Sequence, residues 1–225
     1  MAEPSLHELV HGSAHLARRQ RIGRLTGRTL GRVTVRGLDR VPAAGPLVIV
    51  MNHCSLVDGP VLFGHIRRPV SFLVKSEAFT PLLAPILRGC GQIPVVRDTV
   101  DPAPIRRCVR LLRCGGALGV YPEGRRGDGR VRTTRPGAAY LALRSGAAVL
   151  PVAAHGTANL THRRSLRRPT AHLTIGAAIQ VPRWPDGRPL NRRVVAALAE
   201  QLRVMLAGLV AATEPRARDV ERIAS

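Results

Sequence analysis

Aromatic residues, lysine and acidic residues are all scarce in this sequence of 225 residues. Only six side chains are aromatic, and three of them, Phe63, Phe72 and Phe79, lie close together, which leaves little for stacking on unpaired bases. Lys75 is the sole lysine among 35 basic residues, and only 14 residues are acidic, so the net charge is +21. Such a surface attracts anions, whether nucleic acid, an anionic membrane leaflet or phosphorylated substrates. The shortage of aromatics favours a membrane or a phosphate over RNA.

Cysteines and long hydrophobic runs are also few. The four cysteines, Cys54, Cys90, Cys108 and Cys114, show no C-x-x-C pairing, and no secretory signal precedes them. A disulfide framework or a zinc site is therefore not expected, and reducing cytosol is the expected compartment. No apolar run approaches the roughly 18 to 20 residues of a membrane-spanning helix. Contact with a bilayer should accordingly be peripheral.

Short apolar runs alternate with amphipathic stretches over most of the chain. Strands are indicated at 31–37, 47–51, 71–74, 91–97, 117–120, 147–153 and 173–181. Helices are indicated at 61–65, 80–89, 105–114, 136–144 and 191–212. Strands and helices alternating at this spacing predict a single α/β domain, with a central, largely parallel mixed sheet flanked by helices. The last of these helices, with an apolar stripe from Val195 to Leu209, is interpreted as domain core.

The predicted organisation places a basic amphipathic segment at 1–30, the α/β domain at 31–212 and a charged tail at 213–225. Within 5–28, apolar residues recur at helical spacing and five arginines follow them. A basic amphipathic helix of this kind docks on anionic lipid or packs on the domain as a solvated helix, and both interpretations stay open. The H-E-x-x-H pattern at 7–11 is typical of zinc proteases, but so short a pattern arises often by chance and we reject it.

The chain is organised around residues 46–60, where an apolar run stops at Asn52-His53. The run itself, Leu47–Met51, is β-branched and unalternating, which predicts a strand buried on both faces. His53 would then follow the carboxyl end of a core strand, where ligands bind in open α/β sheets. Asp58 comes a little over one helical turn later and can hold one imidazole nitrogen, leaving the other free to take a proton. A histidine in a surface turn is the plainer alternative, and the remaining motifs weigh against it.

Cations follow two other predicted strands. Lys75 comes at the end of one strand, in a chain that otherwise uses arginine, and Arg97 ends another. Because parallel strands end at the same edge of a sheet, both cations are expected at the edge that carries His53, where they could bind an anion. A further buried strand, Ala117–Val120, stops at the sequence YPEGRR at 121–126.

Four ordered blocks of the sequence resemble a known family. They are Asn52-His53 with Asp58, then 91–97, then Tyr121-Pro122-Glu123-Gly124 with Arg126, then 149–152. In this order and spacing they resemble the glycerophospholipid acyltransferase family, specifically its 1-acylglycerol-3-phosphate (lysophosphatidate) acyltransferase branch. The resemblance covers about residues 30–180. One block alone would be weak, but four in order are a strong signal.

The resemblance implies roles for seven residues. His53 would be the general base, Asp58 its partner, Lys75, Arg97 and Arg126 the ligands of the acceptor's phosphate, and Glu123 and Gly124 would shape the acceptor site. It also implies an acyl thioester donor, acyl-CoA or acyl-carrier protein, and a membrane-bound lysophospholipid acceptor. No metal and no cofactor beyond this co-substrate is expected. The expected location is the cytoplasmic face of the cell membrane, held peripherally, or the cytoplasm.

The chemistry of the residues agrees with this resemblance. Transfer of an acyl group from a thioester to a glycerol hydroxyl needs a base, and an imidazole near its usual pKa provides one at neutral pH. Cys54, next to His53, suggests a competing acyl-cysteine, but immediate neighbours usually point apart and direct transfer is preferred. A developing oxyanion would need donors, for which backbone amides at 53–58 or at a helix start are candidates.

The sequence also departs from the family. Its third block commonly reads Phe-Pro-Glu-Gly-Thr-Arg-Ser, whereas Tyr121, Arg125 and Gly127 replace the Phe, Thr and Ser here. The extra cation at Arg125 is compatible with a phosphate site but leaves the identity of the acceptor open. The amino-terminal segment is short and basic rather than long and apolar, so membrane attachment should be sensitive to salt.

Three alternatives remain at this point. The first is an acyltransferase for another lipid or for a non-lipid alcohol. The second is a basic nucleic-acid-binding module, which explains the charge but not the motifs at strand ends. Binding to duplex DNA that depends steeply on salt and is at least as strong as binding to anionic liposomes would favour this alternative. The third is a hydrolase in which His53 activates water, which would consume thioester without an acceptor.

Overall fold

The structure is a computed structural model that describes residues 5–11, 21, 31–96, 101–161 and 169–214. The strands are β1 Arg32–Arg36, β2 Leu47–Met51, β3 Val70–Lys75, β4 Ile93–Val95, β5 Ala117–Val120, β6 Ala148–His155 and β7 Thr170–Ile175. The helices are α1 Leu6–His11, α2 Asp58–His65, α3 Ala84–Gly89, α4 Ala103–Arg113, α5 Gly137–Ser145 and α6 Arg192–Thr213. Short 3-10 turns lie at Leu38–Arg40, Ser76–Ala78 and Thr157–Leu160.

The strands form one sheet in the order β1-β7-β6-β2-β5-β3-β4. All neighbouring pairs are parallel except β6 and β7, which run antiparallel, so β1 and β7 point against the other five strands. The predicted fold class, an α/β domain with a central, largely parallel mixed sheet, is confirmed. The first predicted strand, at 31–37, corresponds to β1 and lies at one edge of the sheet.

The central strand β2 positions the site. Every residue of Leu47–Met51 is buried, because β2 lies between β5 and β6 and both of its faces are covered. Its side chains alternate between two cores, with Leu47, Ile49 and Met51 packing on the layer of α2 and the other two on the layer of α4, α5 and α6. The chain therefore leaves β2 at the carboxyl edge of the sheet, directly before His53.

Pro151 lies inside β6, and a proline within a strand usually indicates either an edge strand or an interrupted ladder. Strand β6 is not at an edge, since it pairs with β2 on one side and β7 on the other. The ladder to β7 begins at Val152, and before Pro151 the bridging partner is Ile179 through Val149. The proline thus falls in the gap between these pairings, and the interrupted ladder is the alternative that the structure shows.

Helix α6 is the longest helix of the described residues. By length and composition alone it could cross a membrane, so the expectation that no stretch reaches this length was wrong. Its hydropathy comes mainly from valines and leucines, of which only Val204 is exposed, and its outer side carries mostly small or polar residues. The helix packs on β6 and α5 and buries Val195, Leu202 and Leu206, in agreement with its interpretation as a core helix.

Element boundaries differ from the sequence predictions in several places. Helix α2 begins at Asp58 rather than at residue 61, so this carboxylate lies in its first turn, where a negative charge is favoured. Helix α3 begins only at Ala84, after a turn at 81–83. The late strand ends at Ile175 rather than at 181. Most of the predicted helix at 5–28 lies outside the described residues, and the domain boundaries at 30 and 213 stay predictions.

Candidate active site

His53 and Asp58 form a hydrogen-bonded pair at the carboxyl end of β2. The Nδ1 of His53 lies 2.8 Å from Oδ2 of Asp58. That same oxygen accepts the backbone N–H groups of Cys54 at 2.9 Å and Ser55 at 2.8 Å. Asp58 is fully buried, so the carboxylate is fixed at the start of α2 and the loop 53–58 is wrapped around it. The spacing that drew attention in the sequence thus corresponds to a direct contact.

This contact fixes the tautomer of His53. A carboxylate only accepts hydrogen bonds, so the neutral imidazole carries its proton on Nδ1 and leaves a lone pair on Nε2. Nε2 has no hydrogen-bond partner among the described residues. The side chain is 15% exposed, enough for a substrate to reach it. Nε2 is thus the imidazole atom that is open to a substrate.

Tyr121 lies against the face of this imidazole. The two rings stack with centroids 3.9 Å apart and an angle of 14° between their planes. Burial raises the pKa of the Tyr121 phenol well above its usual value, and the charge of Asp58 raises it further, so the ring stays neutral. Phe72 follows in the same stack at 5.8 Å, in the space that Gly119 leaves on the neighbouring strand. The imidazole is therefore held at one edge by a hydrogen bond and on one face by packing.

Glu123 holds two loops together. Its Oε2 accepts the backbone N–H of His53 at 2.9 Å, and its Oε1 accepts the backbone N–H of Val131 at 3.1 Å. Both carboxylate oxygens are thus used inside the protein. The predicted role of Glu123 at the acceptor site stays a prediction, and the structure adds a positioning role for it under His53.

Asn52 ties the same loop to the sheet. Its side-chain amide donates to the carbonyls of Gly129 at 3.2 Å and Ala154 at 2.9 Å, and its oxygen accepts the N–H of Ala154 at 2.7 Å. The carbonyl of His53 in turn accepts the N–H of Gly127 at 2.9 Å. The loop 121–136 is therefore bonded to the loop at His53 from both sides, and Asn52 is a positioning residue that sequence reasoning noted only as part of a motif.

Val131 is strained in a way the sequence does not reveal. Its φ of 54° is left-handed, which is unfavourable for a β-branched residue and costs about 1–3 kcal/mol. Its N–H is held by Glu123, its carbonyl accepts from Arg203 of α6 at 3.3 Å, and its buried side chain packs on Leu206. The C-terminal helix thus supports the loop that holds His53.

The backbone amides proposed as oxyanion donors are mostly occupied. Those of His53, Cys54 and Ser55 donate to the carboxylates of Glu123 and Asp58. Further along the same loop, the amides of residues 57 and 58 donate to Ser55 at 3.4 Å each. Most of the candidate donors at 53–58 are thus used to stabilise the loop itself, and donors at a helix start stay a prediction.

Cys54 points away from the base, at Thr157. Its Sγ lies 3.6 Å from the Thr157 hydroxyl. Burial raises the pKa of the Cys54 thiol, and the charge of Asp58 adds to the effect. A thiol held in its neutral form is a poor nucleophile, which disfavours an acyl-cysteine.

The structure places the predicted phosphate ligands unequally. Lys75 is the last residue of β3, and the strand register places it level with Asn52. Because β5 lies between β2 and β3, the backbones of Lys75 and Asn52 are about 10 Å apart. Alternation along β3 puts its exposed side chain on the opposite face from Phe72 and hence from His53. Arg126 is exposed, next in sequence to Gly127, which binds the His53 carbonyl. Arg97 lies outside the described residues.

Gly124 turns the chain between Glu123 and the exposed arginines. Its φ is 70°, and a Cβ there would collide with the side chain of Arg135. Glycine is therefore required by the backbone, and the predicted contact with the acceptor stays a prediction. No group of three His, Cys, Asp or Glu side chains in the described ranges could hold a metal ion.

We expect Glu123→Gln to lower kcat by about tenfold or more. The amide nitrogen of glutamine cannot accept a hydrogen bond, so one of the backbone N–H groups of His53 and Val131 loses its partner. A buried donor without a partner costs about 1–3 kcal/mol. Steady-state kinetics at saturating donor and acceptor checks this. The matched control is the same substitution at Glu77, which is exposed. Equal kinetics for both variants would show that the carboxylate does not position His53.

Comparison with known proteins agrees with the resemblance found in the sequence motifs. The family profile described as Acyltransferase matches residues 32–155, which is 124 of 225 residues. This range contains β1 to β6 and every residue of the site described above except the contributions of α6 and Thr157.

Two relatives illustrate the similarity. A chloroplast 1-acyl-sn-glycerol-3-phosphate acyltransferase of Arabidopsis thaliana is 30% identical over 136 residues, which is 57% of this chain and 37% of that protein. A 1-acyl-sn-glycerol-3-phosphate acyltransferase of Bacillus subtilis is 29% identical over 128 residues, covering 56% of this chain and 64% of that protein. The matched part thus spans less than two thirds of either relative.

A solved structure shares the fold. The crystal structure of the 1-acyl-sn-glycerophosphate acyltransferase from Thermotoga maritima superposes with a TM-score of 0.66 at 24% identity, over 86% of this chain and 79% of that one. At this identity the likeness supports the architecture, independently of the motifs.

Proposed function

This chain belongs to the acyltransferase family, and we propose that it moves a fatty acyl group from an acyl thioester to the free hydroxyl of lysophosphatidate or a related lysophospholipid. The observation that carries the proposal is the hydrogen bond between Nδ1 of His53 and Asp58, which leaves Nε2 as a base. The relatives' names supply the substrate class. The experiment that tests the proposal is acyl transfer with a labelled thioester and a set of acceptors.

The proposed reaction needs no covalent enzyme intermediate. Nε2 of His53 takes the proton of the acceptor hydroxyl while its oxygen attacks the thioester carbonyl carbon. The tetrahedral intermediate then collapses, the C–S bond breaks, and the imidazolium returns the proton to the leaving thiolate. Asp58 stabilises the imidazolium between the two steps, because its charge lies 2.8 Å from Nδ1.

The acceptor's phosphate is proposed to lie on the loop 121–136, near Arg126. In lysophosphatidate the phosphate and the reacting hydroxyl sit on neighbouring carbons, so the phosphate's ligand must be close to His53. Arg126 meets this condition through its neighbour Gly127, and its exposed guanidinium has no ion-pair partner among the described residues. Arg97 and Lys75 are proposed as further phosphate ligands. Lys75 would have to extend its side chain past the carboxyl end of β3 to the face that carries His53.

We expect Arg126→Ala and Arg97→Ala to lower kcat/KM for a phosphorylated acceptor by about tenfold or more, since charged hydrogen bonds are worth about 1.5–3 kcal/mol. Arg97→Lys should already impair transfer, because lysine lacks the bidentate fork. Acceptor-independent hydrolysis of the thioester should be largely spared. Arg132→Ala, which removes a cation paired with Asp128 further along the loop, is the matched control.

If the variants lose kcat/KM by the same factor with phosphorylated and phosphate-free acceptors, these arginines do not bind the acceptor's phosphate. In that case the acceptor would be another lipid or a non-lipid alcohol. The comparison needs only two acceptors that share a glycerol backbone and acyl chain and differ in the phosphate.

Peripheral attachment to the cytoplasmic face of an anionic membrane is proposed for the basic segment 1–30. Replacing Arg18, Arg19, Arg21, Arg24 and Arg28 by glutamine, or raising salt well above physiological strength, should weaken binding to anionic vesicles. Each cation near such a surface contributes about 1 kcal/mol. Vesicle sedimentation of the full chain measures this.

Unchanged binding would assign the contact elsewhere, to the exposed apolar residues around α3. Leu82 is 83% and Ile86 is 52% exposed there. The discriminating variant is Leu82→Asp with Ile86→Asp, and its matched control is Val204→Asp, which charges an equally exposed apolar position on α6. Loss of binding in the first variant alone would place the membrane contact on α3.

A further inference from the structure

A groove of about 380 Å³ lies between α4 and α5, outside the site described above. Four arginines line it, Arg106, Arg110 and Arg113 from α4 and Arg144 from α5. Ile105, Val109 and Tyr140 also line the groove, and because they are partly buried and pack on the core, they give it an apolar floor. A concave site with an apolar surface and a few convergent charges is the usual form of a small-molecule site.

The charge of this groove is poorly compensated. Neither α4 nor α5 contains an acidic residue, and the arginines of α4 recur at i+4 and i+3 spacing, where like charges destabilise a helix. Among the described residues, the only carboxylate paired with any of the four is Asp186, which accepts from Arg113. An anionic ligand would relieve this repulsion.

Two of the four arginines are held in place and two are not. Arg113 donates to the carbonyl of Arg144 at 3.0 Å, and Arg144 donates to the carbonyl of Arg188 at 3.1 Å and lies 5.9 Å over the ring of Tyr140. Arg106 and Arg110 are exposed and form no hydrogen bond or ion pair with other described side chains. The groove therefore combines a preformed end with two cations available to a ligand.

We propose that this groove binds the nucleotide end of a coenzyme A thioester, with its phosphates on Arg106 and Arg110 and its base on the floor beside Tyr140. The inference rests on the proposed function and names the donor for it. A planar base matches an apolar floor with an aromatic ring, and phosphates match clustered guanidinium groups.

The acceptor's phosphate cannot use this groove. Helices α4 and α5 pack on the core of Val48 and Val50, whereas His53 stacks in the layer of Met51 and Phe72. The acceptor's phosphate lies only a few bonds from its reacting hydroxyl and so must stay on the His53 face. The nucleotide of a coenzyme A thioester, in contrast, is separated from the acyl group by a long flexible arm.

One end of the groove lies near the edge where that arm has to arrive, because Ile105 and Arg106 line it close to the start of α4. Both helices follow the carboxyl edge of the sheet, α4 after β4 and α5 after the loop 121–136. The lining residues run along α4 from its first turn to its last, a length of about 16 Å. The arm can leave the groove at the first turn and cross the carboxyl edge to His53.

The test compares two donors in the variant Arg106→Gln with Arg110→Gln. One donor is a long-chain acyl-CoA, and the other is the matching acyl-pantetheine, which has the thioester but no nucleotide. We expect kcat/KM for acyl-CoA to fall at least about tenfold relative to kcat/KM for acyl-pantetheine, through KM. The matched control, Arg192→Gln with Arg193→Gln, removes the same charge from exposed positions of α6 and should leave this ratio unchanged.

Three results would overturn the proposal. The first is an unchanged ratio of kcat/KM for acyl-CoA to kcat/KM for acyl-pantetheine, and the second is an equal change of this ratio in the control variant. The third is a loss of transfer from acyl-carrier protein while transfer from acyl-CoA is unaffected, which would make the groove a contact site for that protein. Loss of binding to anionic vesicles with an unchanged ratio would assign it to lipid headgroups instead. Calorimetric titration of free coenzyme A into both variants tests the groove even if no acyl transfer is observed, so its failure and that of the proposed function are distinguishable.

Discussion

His53→Ala is expected to lower acyl transfer by about 10³-fold, within the 10²–10⁴-fold range of a positioned general base. The loss should appear in kcat, since Nε2 acts on the hydroxyl only as the transition state forms. Truncation removes the imidazole and leaves Asp58 with its two backbone donors, at Cys54 and Ser55. The measurement is the initial rate of product formation at saturating donor and acceptor.

The control for this variant is its fold. Truncation removes the hydrogen bond to buried Asp58 and the stack on Tyr121, so the free energy of unfolding should fall by about 1–3 kcal/mol. The backbone contacts of His53 to Glu123 and Gly127 do not need the side chain, so the circular dichroism spectrum should still show the folded protein. A folded His53→Ala protein with wild-type turnover would contradict the proposed mechanism. His53→Gln, which keeps polarity but provides no base of comparable pKa, should be as inactive as the alanine variant.

Asp58→Asn is expected to cost about 10²-fold in kcat, less than loss of the base but still large. All three hydrogen bonds to Asp58 end on Oδ2, so the oxygen of asparagine can take that place and accept the same N–H groups, but it carries no charge. The protonated imidazole then loses the negative charge that stabilises it between the two steps of the proposed reaction. Rate measurements together with thermal unfolding separate the catalytic effect from any destabilisation.

The separation of kcat from KM gives Asp58→Asn a readout beyond stability. Asp58 contacts His53 and is fully buried, so its substitution should lower kcat and leave KM for the acceptor nearly unchanged. Asp39→Asn is the matched control, because Asp39 is exposed in the turn after β1. A loss in Asp58→Asn that appears only in KM would contradict the proposed action of Asp58 through His53.

The sequence predicted the His53–Asp58 pair because its geometry is local. Both residues lie within one loop and the first turn of one helix, so spacing alone constrains their distance. The central strand was equally predictable, since a short β-branched run without alternation has few other environments. Pro151 limited the possibilities for β6 to two, and pairing with both neighbours decided between them.

The surroundings of this pair were not predictable from the sequence. Glu123 binds backbone amides, and a backbone partner leaves no residue-type signal at position 53 or 131. The stacking of Tyr121 on His53 depends on the order of strands in the sheet, which joins β2 and β5 across about 70 residues. The left-handed Val131 is opposite to what residue preferences indicate, and it is held by contacts with Glu123 and α6 that lie far away in the sequence.

The proposed activity is transfer of an acyl group to the free hydroxyl of a glycerol lipid that carries a phosphate. The most direct measurement is an acceptor screen with a radiolabelled long-chain acyl thioester, comparing lysophosphatidate, other lysophospholipids, phosphate-free monoacylglycerol and water. With lysophosphatidate as acceptor, we expect label in phosphatidate and little free fatty acid, and this labelling should be lost in His53→Ala. Label appearing as free fatty acid at the same rate without any acceptor would contradict it and identify a hydrolase instead.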